Sequence, residues 1–136
     1  MPVSKVADSW ALLAWLLNQP AASAVESFIQ EAGNLRLFMS WMNIAEVYYI
    51  AAKRHGVKRA EEFLSRLPSL PIRLVLPDEE GIMAAARIKA ANPVAFGDAF
   101  AIALAQAQQA SVITGDDEIR QCGIVVVGIG SVQQSP

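Results

Sequence analysis

Four acids in this chain sit where an isolated carboxylate would be costly. Asp8 follows Val6-Ala7, Glu46 follows Ile44-Ala45, Asp98 lies between Gly97 and Ala99-Phe100, and Asp116 follows Val112-Ile113-Thr114-Gly115. Placing an ionised carboxylate against apolar side chains costs several kcal/mol unless a partner offsets it. Basic partners are scarce: Lys5 is close to Asp8, and Lys89 is the only basic residue within ten positions of Asp98. A divalent cation shared by the carboxylates is the simplest answer. The single histidine, His55, rules out a multi-histidine zinc site and makes a histidine-based triad improbable. The single cysteine, Cys122, rules out a thiolate cluster and an intrachain disulfide. Oxygen-only donors favour magnesium or manganese. Asn43, three residues before Glu46, shares its helix face and can orient it. Thr114 can place its hydroxyl beside a metal shell or hold an acid in position, and Asp117 is a second candidate acid beside Asp116.

These acids need elements that carry them to one place. Val3 to Ala7 reads as a strand ending at Asp8, with Ser9 as cap of a helix from Trp10 to Leu17. A second helix is expected from Ala21 to Ala32, closing on Gly33. Leu35 to Met39 alternates and reads as a strand, and Ser40 then caps a helix through Arg54. A charged helix from Lys58 to Leu67 precedes a strand from Ile72 to Leu76, set between Pro71 and Pro77. Asp78 caps a helix from Glu79 to Ala91, with acids first and Arg87 and Lys89 late, as the helix dipole prefers. The Ala-rich run beginning near Gly97 predicts another helix, then a strand over Ser111 to Thr114. A turn from Asp117 to Gln121 leads to a last strand, Ile124 to Ile129.

Alternating strands and helices, with strands apolar on both faces, predict a three-layer α/β/α fold around a central, mainly parallel sheet. Ligands of such sheets gather outside the carboxyl ends of the strands, where all four acids are expected. We expect one domain over residues 1–130 and a frayed tail over 131–136. More than half of the residues are apolar, which argues against disorder, and the formal charge of −2 gives no global basic footprint for nucleic acid. The apolar run Ala11 to Leu17 is far short of a bilayer span, and the N-terminus lacks a signal-peptide layout. A cytoplasmic protein with no membrane partner is the expectation. His55, Cys122 and the aromatic residues Trp10, Trp15, Trp41, Tyr48 and Tyr49 read as terminus, core or interface positions rather than as chemistry.

The motifs Ala7-Asp8-Ser9, Asn43-Ile44-Ala45-Glu46-Val47, Gly97-Asp98-Ala99-Phe100-Ala101 and Thr114-Gly115-Asp116 resemble the acidic motifs of PIN-domain ribonucleases. The similarity is closest to VapC-like toxins of toxin–antitoxin pairs and covers nearly the whole chain. Trp10 departs from the small residue of that pattern, and nothing beyond Ile129 matches it. The resemblance implies a metal-dependent endoribonuclease with Asp8, Glu46, Asp98 and Asp116 as catalytic metal ligands for Mg2+ or Mn2+. It also implies an RNA substrate, a cognate antitoxin and a homodimer. Lys53, Arg54, Lys58 and Arg59 can steer substrate phosphates, or can simply be solvated cations at a helix end. The rival readings are a DNA-directed nuclease of the same fold and a catalytically silent, protein-binding scaffold. A phospho-accepting receiver domain fits poorly, because Asp8 stands alone and no lysine follows Lys89.

Overall fold

The computed structural model describes residues 3–16, 35–114 and 126–128. The helix expected from Ala21 to Ala32, the turn from Asp117 to Gln121, Cys122 and both acids of the fourth motif lie outside the described residues.

Strand β1 (Val3–Ala7) leads into α1 (Ser9–Leu16), and β2 (Leu35–Ser40) leads into α2 (Trp41–His55) and α3 (Val57–Arg66). A 3-10 turn (Leu67–Ser69) precedes β3 (Arg73–Val75), followed by α4 (Glu79–Ala91), α5 (Phe96–Gln108), β4 (Ser111–Thr114) and β5 (Val126–Gly128). The five strands form one sheet in the order β3-β2-β1-β4-β5, and every neighbouring pair is parallel. The expected three-layer α/β/α fold is therefore the observed one. The chain winds one way from β1 through β2 to β3, then returns to the other side of β1 with β4. The switch point thus falls between β1 and β4, the place where open parallel sheets bind their ligands.

The period of two along each strand splits the core in two. Ala7, Leu37, Met39 and Ile113 point to one face, where they pack with α1, α2 and α3 through Leu12, Leu13, Ile44, Val47 and Phe63. Val6, Phe38 and Val112 point to the other, against Ala85 of α4 and the Ala99–Ala105 run of α5. All eight residues from Asp98 to Ala105 are buried. Small alanine side chains let α5 lie close to the sheet while α4 covers it, which explains a helix apolar on nearly every side. Each fully buried Leu, Ile or Phe contributes roughly 1.5–3 kcal/mol, so these two clusters supply the stability that lets a polar site be held between them. At the amino end of the sheet Lys5 Nζ donates to Ser111 Oγ at 2.8 Å, across the β1–β4 register in which the two residues face each other.

The caps follow local chemistry, with one correction. Ser40 Oγ accepts from the Met42 N–H, and Asp78 Oδ1 accepts from the Gly81 N–H at 2.8 Å, as anticipated. Ser9, however, is not the cap of α1. Asp8 Oδ1 accepts the Ala11 N–H at 2.8 Å, so the helix starts one residue earlier and the Ser9 hydroxyl is released for other work. A carboxylate at the N-cap also meets the positive end of the helix dipole, which favours Asp8 over Ser9 there. Strand β3 is shorter than expected by one residue at each end. Gly56 has φ +91°, a conformation that side chains avoid, and its N–H closes α2 on the Ala52 carbonyl before α3 begins. Among the described residues no single helix is long and apolar enough to cross a membrane.

Candidate active site

Asp8 stands just past the carboxyl end of β1 and is 0 % exposed. Its N–H donates to the Ile113 carbonyl at 3.4 Å, which extends the β1–β4 pairing and sets Asp8 beside the end of β4. Thr114, the last residue of β4, is also fully buried. Both residues therefore lie at the switch point of the sheet.

Glu46 arrives from the second strand. β2 runs directly into α2 at Ser40, so the first turns of α2 stand over the same edge of the sheet. Asn43 and Glu46 share a face of that helix, and both reach inward to Ser9. The Ser9 hydroxyl donates to Glu46 Oε1, and Asn43 Nδ2 donates to Ser9 Oγ at 3.0 Å. The Ser9 Oγ also lies 3.4 Å from the Asn43 carbonyl oxygen. Asn43 was expected to orient Glu46; the two are joined through the Ser9 hydroxyl.

Asp98 arrives from α5. It is 6 % exposed in the first turn of that helix, where the dipole favours an acid. The start of α5 is tied to α2 by Asn43 Nδ2, which also donates to the Gly97 carbonyl at 2.9 Å. Gly97 meets α2 a second time. A β-carbon built on Gly97 would lie 2.6 Å from Glu46 Oε1 and 2.9 Å from Oε2, closer than any real contact. The glycine is required by this close approach, since Gly97 is not among the residues with positive φ.

Asp8, Glu46 and Asp98 are thus linked through Ser9, Asn43 and Gly97 at one edge of the sheet. Ser9 and Gly97 stand within the quoted motifs, and their part in joining the acids' elements was not read from them. The signal for Gly97 was its place beside an acid at a helix start; for Ser9 no sequence signal separates this role from capping. Asp116 and Asp117 lie outside the described residues.

The basic residues are placed elsewhere. α2 leaves the sheet edge as it runs, at about 1.5 Å per residue, so Lys53 is roughly 10 Å along the axis from Glu46. Lys53, Arg54, Lys58 and Arg59 are all exposed. Arg59 Nη2 donates to the Leu16 carbonyl at 3.3 Å, at the end of α1 remote from Asp8. These four are not gathered with the acids.

The donor set gathered at the edge is oxygen only. Asn43 is fully buried and its Oδ1 has no hydrogen-bond partner among the described residues, which adds a neutral oxygen to the carboxylates. Hard oxygens of this kind suit magnesium or manganese better than zinc. Among the described residues no three His, Cys, Asp or Glu side chains are grouped closely enough to enclose an ion by themselves. A complete shell would draw on water or on the fourth motif as well.

Comparison with known proteins agrees with the architecture. VapBC from Salmonella typhimurium, solved bound to DNA, superposes with a TM-score of 0.76 at 18% identity, over 94% of this chain and 99% of that one. VapC20 from Mycobacterium tuberculosis, described as a sarcin-ricin loop cleaving toxin, gives 0.76 at 14% identity, over 90% and 98%. VapBC2 from Rickettsia felis, solved with a promoter DNA fragment, gives 0.75 at 11% identity, over 93% and 98%. No curated protein sequence matches the chain. Residues 5–124 match the PIN domain family, and with nearly the whole chain covered this protein belongs to it.

Proposed function

We propose that this chain is a divalent-metal-dependent endoribonuclease and the toxin of a toxin–antitoxin pair. The observation that supports the reading is the Ser9–Asn43–Gly97 linkage, which ties Glu46 to the chain neighbours of Asp8 and Asp98 across three separate elements. Capping and the helix dipole account for Asp8 and Asp98 singly; a shared cation would in addition offset the repulsion among neighbouring carboxylates.

In this reading Asp8, Glu46 and Asp98, with Asp116 (or Asp117) from the fourth motif, hold Mg2+ or Mn2+. An ion held there would lower the pKa of a water and offset charge on the phosphate. The protein's own contribution is positional. Asp8 is held at the start of α1 by the Ala11 N–H. The Ser9 hydroxyl holds Glu46 through Oε1, which leaves Oε2 for the ion, while Gly97 lets that carboxylate lie against α5. Thr114 closes the floor beside Asp8.

Residues 1–130 serve as one nuclease domain. The partners are an RNA substrate, a second copy of the chain and an antitoxin that covers apolar surface, in the cytoplasm. Exposed Ile82, Met83 and Leu76 around α4 are surface that such proteins would cover. The likeness to a structure from Klebsiella pneumoniae described as a toxin–antitoxin complex supports the antitoxin partner.

The deciding experiment is cleavage of RNA by the purified protein with Mg2+ or Mn2+, beside Asp8→Asn and Asp98→Asn, with single-stranded DNA in parallel. Metal-dependent RNA cleavage lost in both folded variants supports the reading. Cleavage of DNA alone would move it to the DNA-directed nuclease. No cleavage, together with no metal binding by calorimetry, leaves the scaffold.

A further inference from the structure

Asp8 and Asp98 are closed off from solvent, whereas Glu46 keeps partial exposure. Access to the acids is therefore on the Glu46 side, and two exposed apolar residues stand near it. Met42 stands one helical turn before Glu46 on the same face of α2 and is 42 % exposed. Phe96 adjoins Gly97, on which the Glu46 carboxylate rests, and is 48 % exposed. Its ring is not free-standing. The centroid lies 5.0 Å from that of Phe100, inclined at 58°, and Phe100 is buried in the core. An exposed aromatic face is thus held in place beside the site by a buried one.

We propose that Met42 and Phe96 form a nucleobase subsite at the opening, Phe96 stacking on an unpaired base next to the scissile phosphate. The proposal rests on the nuclease reading and adds what the site takes hold of. Three observations favour a base over a phosphate as the group gripped there. Of the chain's basic cluster, Lys53 and Arg54 lie at least roughly 10 Å further along α2, and Lys58 and Arg59 belong to α3. The protein is net acidic, with a formal charge of −2. And the opening offers a π-face and a polarisable thioether, which contact bases of any sequence. A stacked base must leave its duplex, so the subsite selects single-stranded or looped RNA. It also makes binding only weakly dependent on salt, because few counterions are released.

The test is steady-state cleavage of a single-stranded RNA by the full chain with Mn2+, comparing Phe96→Ala, Phe96→Leu and Phe96→Trp. Stacking predicts that Phe96→Ala raises KM about tenfold with kcat little changed, that Leu fails to restore it, and that Trp does. An abasic nucleotide beside the mapped cleavage site should weaken wild type by a similar factor and Phe96→Ala hardly at all. A cleavage-independent readout is quenching of 2-aminopurine at the same position on binding, present in wild type and lost in Phe96→Ala. Unchanged KM in all three variants, or Leu performing as well as Trp, overturns the subsite. Conversion of a dimer to a monomer by Phe96→Ala, read by light scattering, overturns it in favour of a contact between copies. Wild type that cleaves no RNA removes the nuclease reading instead, and the subsite with it.

Discussion

The carboxylate of Glu46 occupies the space that a β-carbon at position 97 would need. The two residues are 51 positions apart in sequence, counted as 97 − 46, and belong to helices that follow different strands. Their contact makes the acid of α2 and the start of α5 one unit. Gly97→Ala should therefore displace Glu46 without unfolding the protein. The methyl group gains helix propensity, about 0.5–1 kcal/mol, which offsets part of the overpacking cost of about 1–3 kcal/mol. Displacement of a catalytic group by about 1 Å costs on the order of a hundredfold in rate. We expect kcat to fall by about that factor while the melting temperature moves only a few degrees. Wild-type activity in Gly97→Ala would mean that Glu46 adapts freely and that the close approach carries no function.

Ser9 links Glu46 to Asn43 with one hydroxyl, as donor to the first and acceptor from the second. Ser9→Ala removes both bonds inside a buried site. Leaving a buried donor of Asn43 with one partner fewer costs about 1–3 kcal/mol. The variant should be less stable by that amount and less active than its stability loss explains. A double-mutant cycle with Glu46→Gln checks the coupling by urea denaturation and cleavage rate. Additive effects on rate would show that Ser9 does not act through Glu46.

Alkaline pH should loosen the joint between α2 and α3. Tyr48 on α2 donates its hydroxyl to the Glu61 carboxylate on α3, and this bond, aided by desolvation and the Glu61 charge, holds the phenol above its ordinary 10.0. A pKa raised in the folded state gives stability that is complete below the unfolded value of 10.0 and is lost as pH rises through the folded one. Denaturant titrations of wild type and Tyr48→Phe should run parallel up to about pH 10 and converge above it. A stability difference that stays constant to pH 12 would remove the bond from the account.

The sheet and most helices were legible because their signals are local. The alternation Leu35-Arg36-Leu37-Phe38-Met39 marks a strand, and Ser40 and Asp78 announce helices by capping chemistry that needs only the next few residues. The family was legible because its acids recur in order beside small residues. The connections inside the site were not. Nothing near Ser9 shows that its partner is Glu46, 37 residues away, and nothing near Gly97 shows that a carboxylate will rest on it. Both facts arise only when β1, β2 and α5 are brought together. The basic residues after Glu46 show the converse: they are close to it in sequence, but α2 runs on from Glu46, so Lys53 and Arg54 lie further along the helix as exposed residues.

Under the proposed function Asp8 would combine two duties whose energies have opposite signs, which gives the sharpest test of that proposal. As N-cap it accepts the Ala11 N–H, a bond whose loss in Asp8→Ala should cost about 0.5–2 kcal/mol. Asn caps as well as Asp, so Asp8→Asn should keep that bond while removing one negative charge from the cluster. In chelator the Asn variant should therefore melt at or above wild type, because repulsion with the neighbouring acids is relieved. With Mn2+ at a hundredfold over its dissociation constant, wild type should gain about 2.7 kcal/mol by mass action, and Asp8→Asn should gain far less. The order of the two melting curves should thus reverse between chelator and metal, which differential scanning calorimetry reads without any substrate. Equal stabilisation of both proteins by Mn2+ would mean that the ion binds elsewhere, and Asp8 would keep only its cap.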